Sequence, residues 1–140
     1  MQAGGDAVSV LIKAPAKAEL TFIIDGGGTP IDTGQKGHLR VPFACLVDRA
    51  TMIADRTGSI QVDIWKSIYD DFPPIVDGSI TGGNPPAINA DNRYDDPDLT
   101  DWIKSLSEGD ILAFNVDSVA GGEGGGTITR VTISLHVRKT

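Results

Sequence analysis

Two stretches of strict alternation between apolar and polar residues constrain the fold of this chain more than any other feature. In residues 58–66, three aliphatic side chains recur at every second position: Ile60, Val62 and Ile64. Residues 127–138 repeat the pattern with four: Val131, Ile133, Leu135 and Val137. Because successive side chains of a β-strand point to opposite faces of a sheet, each stretch predicts a half-buried strand. Two such strands need a sheet to lie in and a second layer to cover their apolar faces.

The remaining periodic stretches also predict strands rather than helices. They lie at short intervals between glycines and prolines: residues 19–24, 36–43, 45–54, 98–103 and 111–116. Residues 55–58 are predicted as a hairpin turn. Residues 67–97 are predicted as a long irregular connection, because proline removes a hydrogen bond from a strand ladder. The chain is therefore predicted to be all-β: an antiparallel β-sandwich, with a jelly roll as the expected topology.

Residues 1–18 are predicted as a flexible amino-terminal arm, followed by one β-sandwich domain over residues 19–140. A chain of 140 residues is long enough for one hydrophobic core. The arm is rich in small residues and has a single apolar island, which contains Val8, Val10, Leu11 and Ile12. Two interpretations stay open: a frayed terminus, or a tether that docks this island on a neighbour as an added strand.

Apolar residues on both phases of two predicted strands indicate self-association. Ile23 and Ile111 lie on the phase opposite to the one that fills the predicted sandwich. Since the core does not use them, they predict a surface that a second copy covers, in a dimer or a trimer.

The charge of the chain argues against nucleic acid as a partner. The formal net charge is −7, and residues 55–101 hold ten aspartates, whereas nucleic-acid binders need clustered Lys and Arg. No apolar run approaches the roughly 20 residues of a membrane span, and no secretory signal is recognisable at the amino terminus. Cys45 is the only cysteine and is predicted as a buried, small hydrophobic residue. These features predict a chain that is made and folds in a reducing cytoplasm, without membrane contact.

No motif in the sequence predicts catalysis, a cofactor or a metal. The glycines of residues 28–34 lack the spacing of a phosphate-binding loop. His38 and His136 lie on polar faces of predicted strands without a third ligand, so surface histidines are the preferred interpretation. The aspartates of residues 91–98 offer oxygen ligands for calcium but lack the ordered spacing of an EF-hand loop, and a solvated acidic loop is preferred.

Four aromatic residues are candidates for a ligand-binding platform: Trp65, Tyr69, Tyr94 and Trp102. Trp65 lies on the phase of its strand that does not face the core. One interpretation is an exposed platform for a sugar or a partner surface. The other, which we favour, is a ring covered by residues 67–97, with Pro73 and Pro74 packed against it.

An ordered series of short motifs resembles a small β-sandwich domain found in virion proteins of tailed bacteriophages. The motifs cover most of residues 19–140: LTFIIDGGG at 20–28, TGQKG at 33–37, VPFAC at 41–45, ADRTGS at 54–59, VDIWK at 62–66, FPP at 72–74, LTDW at 99–102 and GDILAFNVDS at 109–118. Such domains occur at the ends of tail and fibre proteins, and jelly-roll proteins of this size also occur as free-standing cement (decoration) proteins on capsids. The short arm after Met1, without a fibre segment, favours the second role.

The resemblance implies a non-enzymatic structural protein, made in the host bacterial cytoplasm and assembled onto the virion. Its expected role is capsid decoration, in which it bridges and stabilises capsomers. The expected partners are the major capsid protein and further copies of itself. Because a capsid offers many equivalent sites, modest affinity per contact becomes strong through multivalency. The alternative is a receptor- or carbohydrate-binding domain of a phage tail or fibre.

Overall fold

The computed structural model of the protein describes residues 16–122 and 125–140. It contains eight β-strands in chain order: β1 (Lys17–Asp25), β2 (Gly34–Arg40), β3 (Cys45–Ser67), β4 (Ala87–Asp96), β5 (Ser105–Leu106), β6 (Ile111–Gly122), β7 (Gly125–Gly126) and β8 (Arg130–Lys139). In these ranges there is no α-helix, and the helical elements are the short 3-10 turns Tyr69–Asp71 and Val76–Gly78. All strand pairs are antiparallel. The predicted all-β, antiparallel class is confirmed.

Strand β3 is the central element of the sheet and runs for 23 residues. Met52 in its first half pairs with β8 on one edge and β4 on the other. Ile60 in its second half pairs with β6 on one edge and again with β4 on the other. The hairpin turn predicted at residues 55–58 is therefore wrong. The strand bends there instead, and the register of β4 shifts between Ile53 and Gly58.

The carboxylate of Asp55 holds the bend in β3. Its Oδ1 accepts hydrogen bonds from the backbone N–H groups of Thr129 and Arg130, each at 3.0 Å. Its Oδ2 accepts another from the Thr129 hydroxyl. These bonds, with the hydroxyl contributing most, lower the pKa of Asp55. They fasten the start of β8 to the part of β3 where the pairing partner of β3 changes from β8 to β6.

Strand β4 lies inside the section that the sequence predicts as irregular. Ala87–Asp96 pairs with β3, although Ile88 is its one fully buried residue. A strand exposed in this way shows no alternation of apolar residues, so its sequence carries no periodic signal. The strand predicted at residues 98–103 is wrong, because Leu99 and Asp101 have positive φ angles of 51° and 67° there.

The sheet curls until its two ends face each other. The strand order is β1-β8-β3-β6-β2, yet Phe22 of β1 stacks on Phe114 of β6. Their ring centroids are 4.4 Å apart and their planes 7° from parallel. Gly37 of β2 faces the Phe22 ring, because a Cβ at Gly37 would lie 2.7 Å from Phe22 Cζ. The antiparallel sheet therefore forms a half-barrel. The jelly-roll sandwich, a finer description, stays a prediction.

The two alternating stretches supply much of the hydrophobic core. The inward side chains of β3 and β8 that they predicted are at most 1% exposed: Ile60, Val62, Ile64, Val131, Ile133, Leu135 and Val137. Burial of each such side chain stabilises the folded state by about 1.5–3 kcal/mol. The thiol of Cys45 is buried beside this core, as predicted.

Strand β1 begins at Lys17, inside the predicted arm. The carbonyl oxygen of Ala16 accepts a hydrogen bond from Lys139 N at 2.8 Å, and Ala18 pairs with Val137. The end of the predicted arm thus belongs to the sheet. The predictions for Val8, Val10, Leu11 and Ile12 lie outside the described residues. No helix in the described ranges is long and apolar enough to cross a membrane.

Gly82 allows the segment after β3 to approach the turn after β4. Its φ angle is +61°, and a Cβ would clash with the carbonyl oxygen of Asp101. We expect Gly82→Ala to lower the free energy of unfolding by roughly 2–4 kcal/mol, measured by urea denaturation. Gly83→Ala is the matched control, because its φ is +84° but no atom lies within 4 Å of the added Cβ. Gly83→Ala should lower the free energy of unfolding by about 1 kcal/mol. An equal decrease in both variants would show that the contact with Asp101 is unimportant.

Candidate interaction surface

Residues 68–81, here called the crossover segment, lie beside the second half of β3 and reach the outward face of β2. The end of the segment pairs with β3: Ser79 forms an antiparallel bridge with Trp65, and Ile80 N donates to Ile64 O at 2.9 Å. His38, Ala113 and Trp65 form one row across the outward face of β2, β6 and β3, because Ala113 pairs with both of the others. Phe72 of the crossover segment packs against His38, with ring centroids 4.7 Å apart. Ala113, between His38 and Trp65 in this row, has no exposed surface.

The buried carboxylate of Asp63 fastens the crossover segment to β3. Asp63 is 8% exposed. Its Oδ1 accepts hydrogen bonds from the Ser79 and Thr81 hydroxyls and from Ile64 N, all at 2.8 Å. Its Oδ2 accepts one from Trp65 Nε1 at 3.1 Å. Four donors replace the water that burial removes, so Asp63 acts as a structural anchor.

No pattern in the sequence predicts this anchor. Its alternation correctly places Asp63 on the outward phase of β3, where a carboxylate is normally solvated. Burial of that face depends on the crossover segment, which has no periodic pattern of its own. The nearest signal is the pair of hydroxyl residues Ser79 and Thr81, which becomes meaningful only once both are placed beside Asp63.

The four aromatic residues predicted as a ligand platform do not form one exposed surface. Trp102 is 7% exposed, and its Nε1 donates to a backbone carbonyl oxygen at 3.0 Å. Trp65 is half-buried. Tyr94 pairs with Met52, on the other half of β3 from Trp65. Of these four residues, Tyr69 has the exposed ring, at 68%.

Tyr94 and Asp96 form a hydrogen-bonded pair at the end of β4. Tyr94 Oη donates to Asp96 Oδ2 at 3.2 Å. Burial, followed by the charge of Asp96, raises the pKa of Tyr94 to about 12. Burial by itself would raise the pKa of Asp96, but hydrogen bonds from the N–H groups of Asp98 and Leu99 outweigh it and lower that pKa. The pair closes the turn that follows β4.

The aspartates of residues 91–98 are mostly part of β4 rather than of a loop. Asp95 accepts two hydrogen bonds from the Arg49 guanidinium, at 2.8 and 3.2 Å. In the part of the chain that the structure describes, no three His, Cys, Asp or Glu side chains are grouped to hold a metal ion. His38 and His136 lie on β2 and β8, which are not neighbours in the sheet.

An open groove of about 690 Å³ lies on the outward face of β1, β8 and the first half of β3. Side chains of both charges line it, including Lys17, Glu19, Asp48, Arg49 and His136. The Glu19 carboxylate is 3.9 Å from His136 Nδ1. The Asp48 carboxylate is 3.5 Å from Nε of Arg138. Paired charges in an open groove are typical of a solvated surface rather than of a catalytic cleft.

Two separate surfaces expose large apolar side chains. The first, here called the apolar loop, lies in residues 68–76 and consists of five side chains that are 51–68% exposed: Ile68, Tyr69, Phe72, Ile75 and Val76. The second, here called the isoleucine row, crosses β1, β8 and β3 on their outward face and consists of Ile23, Thr132 and Ile53.

Ile111 does not belong to either exposed surface. The sequence predicts it together with Ile23 as a surface for a partner, but Ile111 is 6% exposed. The chain itself therefore covers this side chain, and the prediction of a partner surface is wrong for Ile111. Ile23 is 57% exposed, so for Ile23 a partner surface stays a prediction.

The apolar loop and the isoleucine row lie on opposite sides of the molecule. Phe22 and Phe114 stack on each other inside the curled sheet, where β1 and β6 face each other. Ile23 follows Phe22 in β1 and so points outward from β1. Ala113 precedes Phe114 in β6 and points outward from β6, on the face that the crossover segment reaches. The framework thus separates the two surfaces.

No model of a known protein family matches the chain, and no curated protein matches it. The similarity to phage virion domains stays a prediction from the sequence motifs. What the geometry adds is a pair of exposed apolar surfaces on opposite sides of one β framework.

Replacing Asp63 by asparagine should destabilise the protein. In Asp63→Asn, the amide NH₂ would face a donor, either Trp65 Nε1 or the hydroxyl groups, and one buried hydrogen bond would be lost. We expect the free energy of unfolding to fall by about 1–3 kcal/mol, with a change in Trp65 fluorescence. Asp98→Asn is the control, because Asp98 is exposed, and it should change stability by less than about 0.5 kcal/mol. Equal stability of the two variants would contradict an anchoring role.

The ionisation of Tyr94 can be observed alone in a Tyr69→Phe variant, because the chain has two tyrosines. Ultraviolet difference spectroscopy should show the remaining phenol ionising at about pH 12. A pKa that is higher in the folded than in the unfolded state means that stability falls as the pH rises from about 10 towards 12. Ionisation of the folded protein near pH 10 would show that the Tyr94 ring is solvated.

Proposed function

We propose that the chain is a non-enzymatic structural protein of a tailed-phage virion that binds the outside of the capsid. There it acts as a cement protein, which bridges and stabilises capsomers. The observation that supports this most is the pair of apolar surfaces on opposite sides of one framework. A bridging protein needs two contact surfaces, whereas an enzyme needs a cleft with aligned reactive groups. The motifs that resemble phage virion domains favour the same role.

The isoleucine row is proposed as the contact between copies, in a dimer or a trimer. The next row of side chains on the same face is uncharged: Thr21, Ser134 and Thr51. On the other side of the isoleucine row Asp25 pairs with Arg130, and Arg93 pairs with Ile53 at its end, so charges of both signs border it. The net charge of −7 is therefore not concentrated at this face. Association would remove the exposed Ile23 and Ile53 side chains from water.

The proposal retains two expectations from the sequence. The jelly-roll β-sandwich is the finer description of the framework, supported by the Phe22–Phe114 stack, where β1 and β6 face each other. The apolar island at residues 8–12 is proposed as a tether that adds a strand to a neighbour. The protein would be made in the host cytoplasm and assembled onto the virion, with the major capsid protein as its partner.

A receptor- or carbohydrate-binding domain of a tail or fibre is the alternative. The open ring of Tyr69 favours it, because ligand sites are often lined by aromatic side chains. Burial of Trp102 counts against it, because the platform then loses a ring. A glycan array separates the two functions: saturable sugar binding is expected only for the alternative.

Cryo-electron microscopy of phage particles that carry this protein tests the proposed function. We expect density on the outer capsid surface, in contact with more than one capsomer. Density confined to the tail or its fibres would contradict the proposal and support the alternative.

Deletion of residues 1–15 tests the tether. Because β1 begins at Lys17, the truncated protein should keep nearly the same thermal midpoint and the same oligomeric state. Its attachment to capsids should weaken, since one contact of each copy is lost. The full-length protein is the control, and normal decoration by the truncated protein would rule out the tether.

A further inference from the structure

The apolar loop concentrates exposed apolar surface in one short segment. Soluble proteins rarely expose several large apolar side chains together, and such patches mark sites that contact another macromolecule. The loop includes the most exposed aromatic side chain in the described ranges, Tyr69, together with Ile75 and Val76, each 59–68% exposed. Solvated connections between strands usually carry polar side chains instead.

Hydrogen bonds hold the apolar loop in a defined conformation. Phe72 N donates to Tyr69 O at 3.2 Å, and Gly78 N donates to Ile75 O at 2.9 Å. The end of the crossover segment is fastened to β3 through the buried carboxylate of Asp63. The apolar side chains are therefore held in place before a partner arrives, which lowers the entropic cost of binding.

Three carboxylates lie in the apolar loop or directly after it: Asp70, Asp71 and Asp77. Among the described residues, none of them takes part in a salt bridge. Their charge disfavours the same loop of a second copy, an anionic lipid surface and nucleic acid. It favours a protein surface on which Lys or Arg surround an apolar pocket.

We propose that the apolar loop is the surface by which this protein docks on the capsid shell, in an apolar pocket of the shell protein rimmed by Lys and Arg. The inference rests on the proposed function and assigns each surface one partner. The loop contacts the shell, and the isoleucine row contacts other copies. Tyr69, Ile75 and Val76 are the anchors, whereas Phe72 also packs against His38.

Co-sedimentation with capsids assembled without this protein tests the inference. The double variant Ile75→Ser/Val76→Ser should raise the Kd for capsids at least about tenfold, because it removes anchors of the contact. Ile103→Ser is the control, since Ile103 is 54% exposed but lies outside the apolar loop. It should bind like the wild type. Circular dichroism and thermal melts check that both variants are folded.

A second pair of variants tests the charge of the partner. Neutralising the loop with Asp70→Asn, Asp71→Asn and Asp77→Asn should weaken binding at low salt. Between about 50 and about 500 mM salt, the affinity of this variant for capsids should fall less than that of the wild type. The matched control neutralises three exposed acids elsewhere, by Asp32→Asn, Glu108→Gln and Asp117→Asn. Equal salt dependence of the two triple variants would contradict the proposal that Lys and Arg surround the pocket of the shell protein.

The outcomes separate this inference from the proposed function. If the wild-type protein does not bind capsids, both are wrong. If the wild type and the double variant bind capsids equally well, the docking surface is wrong and the capsid role stands. Binding of the wild type to zwitterionic or anionic lipid vesicles, lost in the double variant, would overturn the inference in favour of a membrane. A changed oligomeric state of the double variant would instead assign the loop to contacts between copies.

Discussion

The bend in β3 is the constraint on which the rest of the structure depends. Every other strand pairs with β3 or with a strand that does so. At the bend, Asp55 binds the backbone at the start of β8, and the carbonyl oxygen of Thr57 accepts a hydrogen bond from the Thr127 hydroxyl at 2.6 Å. Because one strand runs through both halves of the curled sheet, the halves cannot separate without breaking its ladder. The same bend turns the two outward faces to opposite sides of the molecule.

Aspartate carboxylates fasten three segments to the sheet, in addition to the backbone ladder. Asp55 binds the start of β8, Asp63 binds the crossover segment, and Asp96 binds the turn after β4. An ionised carboxylate accepts several hydrogen bonds at once and so satisfies N–H and hydroxyl groups that no strand partner reaches. The acidic character of the middle of the chain is thus partly structural and not only a solvated surface.

The charges around the two apolar surfaces favour different partners for them. The isoleucine row is bordered by Thr21, Ser134 and Thr51 on one side and by the pair Asp25 and Arg130 on the other, so no single sign of charge dominates there. The apolar loop, with three aspartates in it or directly after it, is better suited to a basic protein surface. In the proposed cement role, this division would let a copy bind the shell and its neighbours at the same time. Multivalency would then make modest contacts durable.

The sequence by itself determined the elements whose two faces meet different environments. Val131 to Val137 in β8 and Ile60 to Ile64 in β3 alternate because one side of each strand is buried, and these residues form the core. Where the pattern is absent or ambiguous, the tertiary structure decided which residues form strands. Residues 55–58 have the composition of a turn, yet Asp55 finds partners on β8 and the strand continues. Strand β4 carries no alternation because most of its side chains on both faces are exposed.

The candidate site shows the same limit for a related reason. Trp65 and Trp102 look alike as sequence features, but burial of Trp102 and the open ring of Tyr69 depend on how the crossover segment and the turn after β4 lie on the sheet. The exposure of Ile75 and Val76 is likewise fixed by that path. Local sequence sets which face of a strand a side chain occupies, since the period is a property of the backbone. Whether that face is covered is decided by segments distant in the chain, whose contacts leave no local pattern.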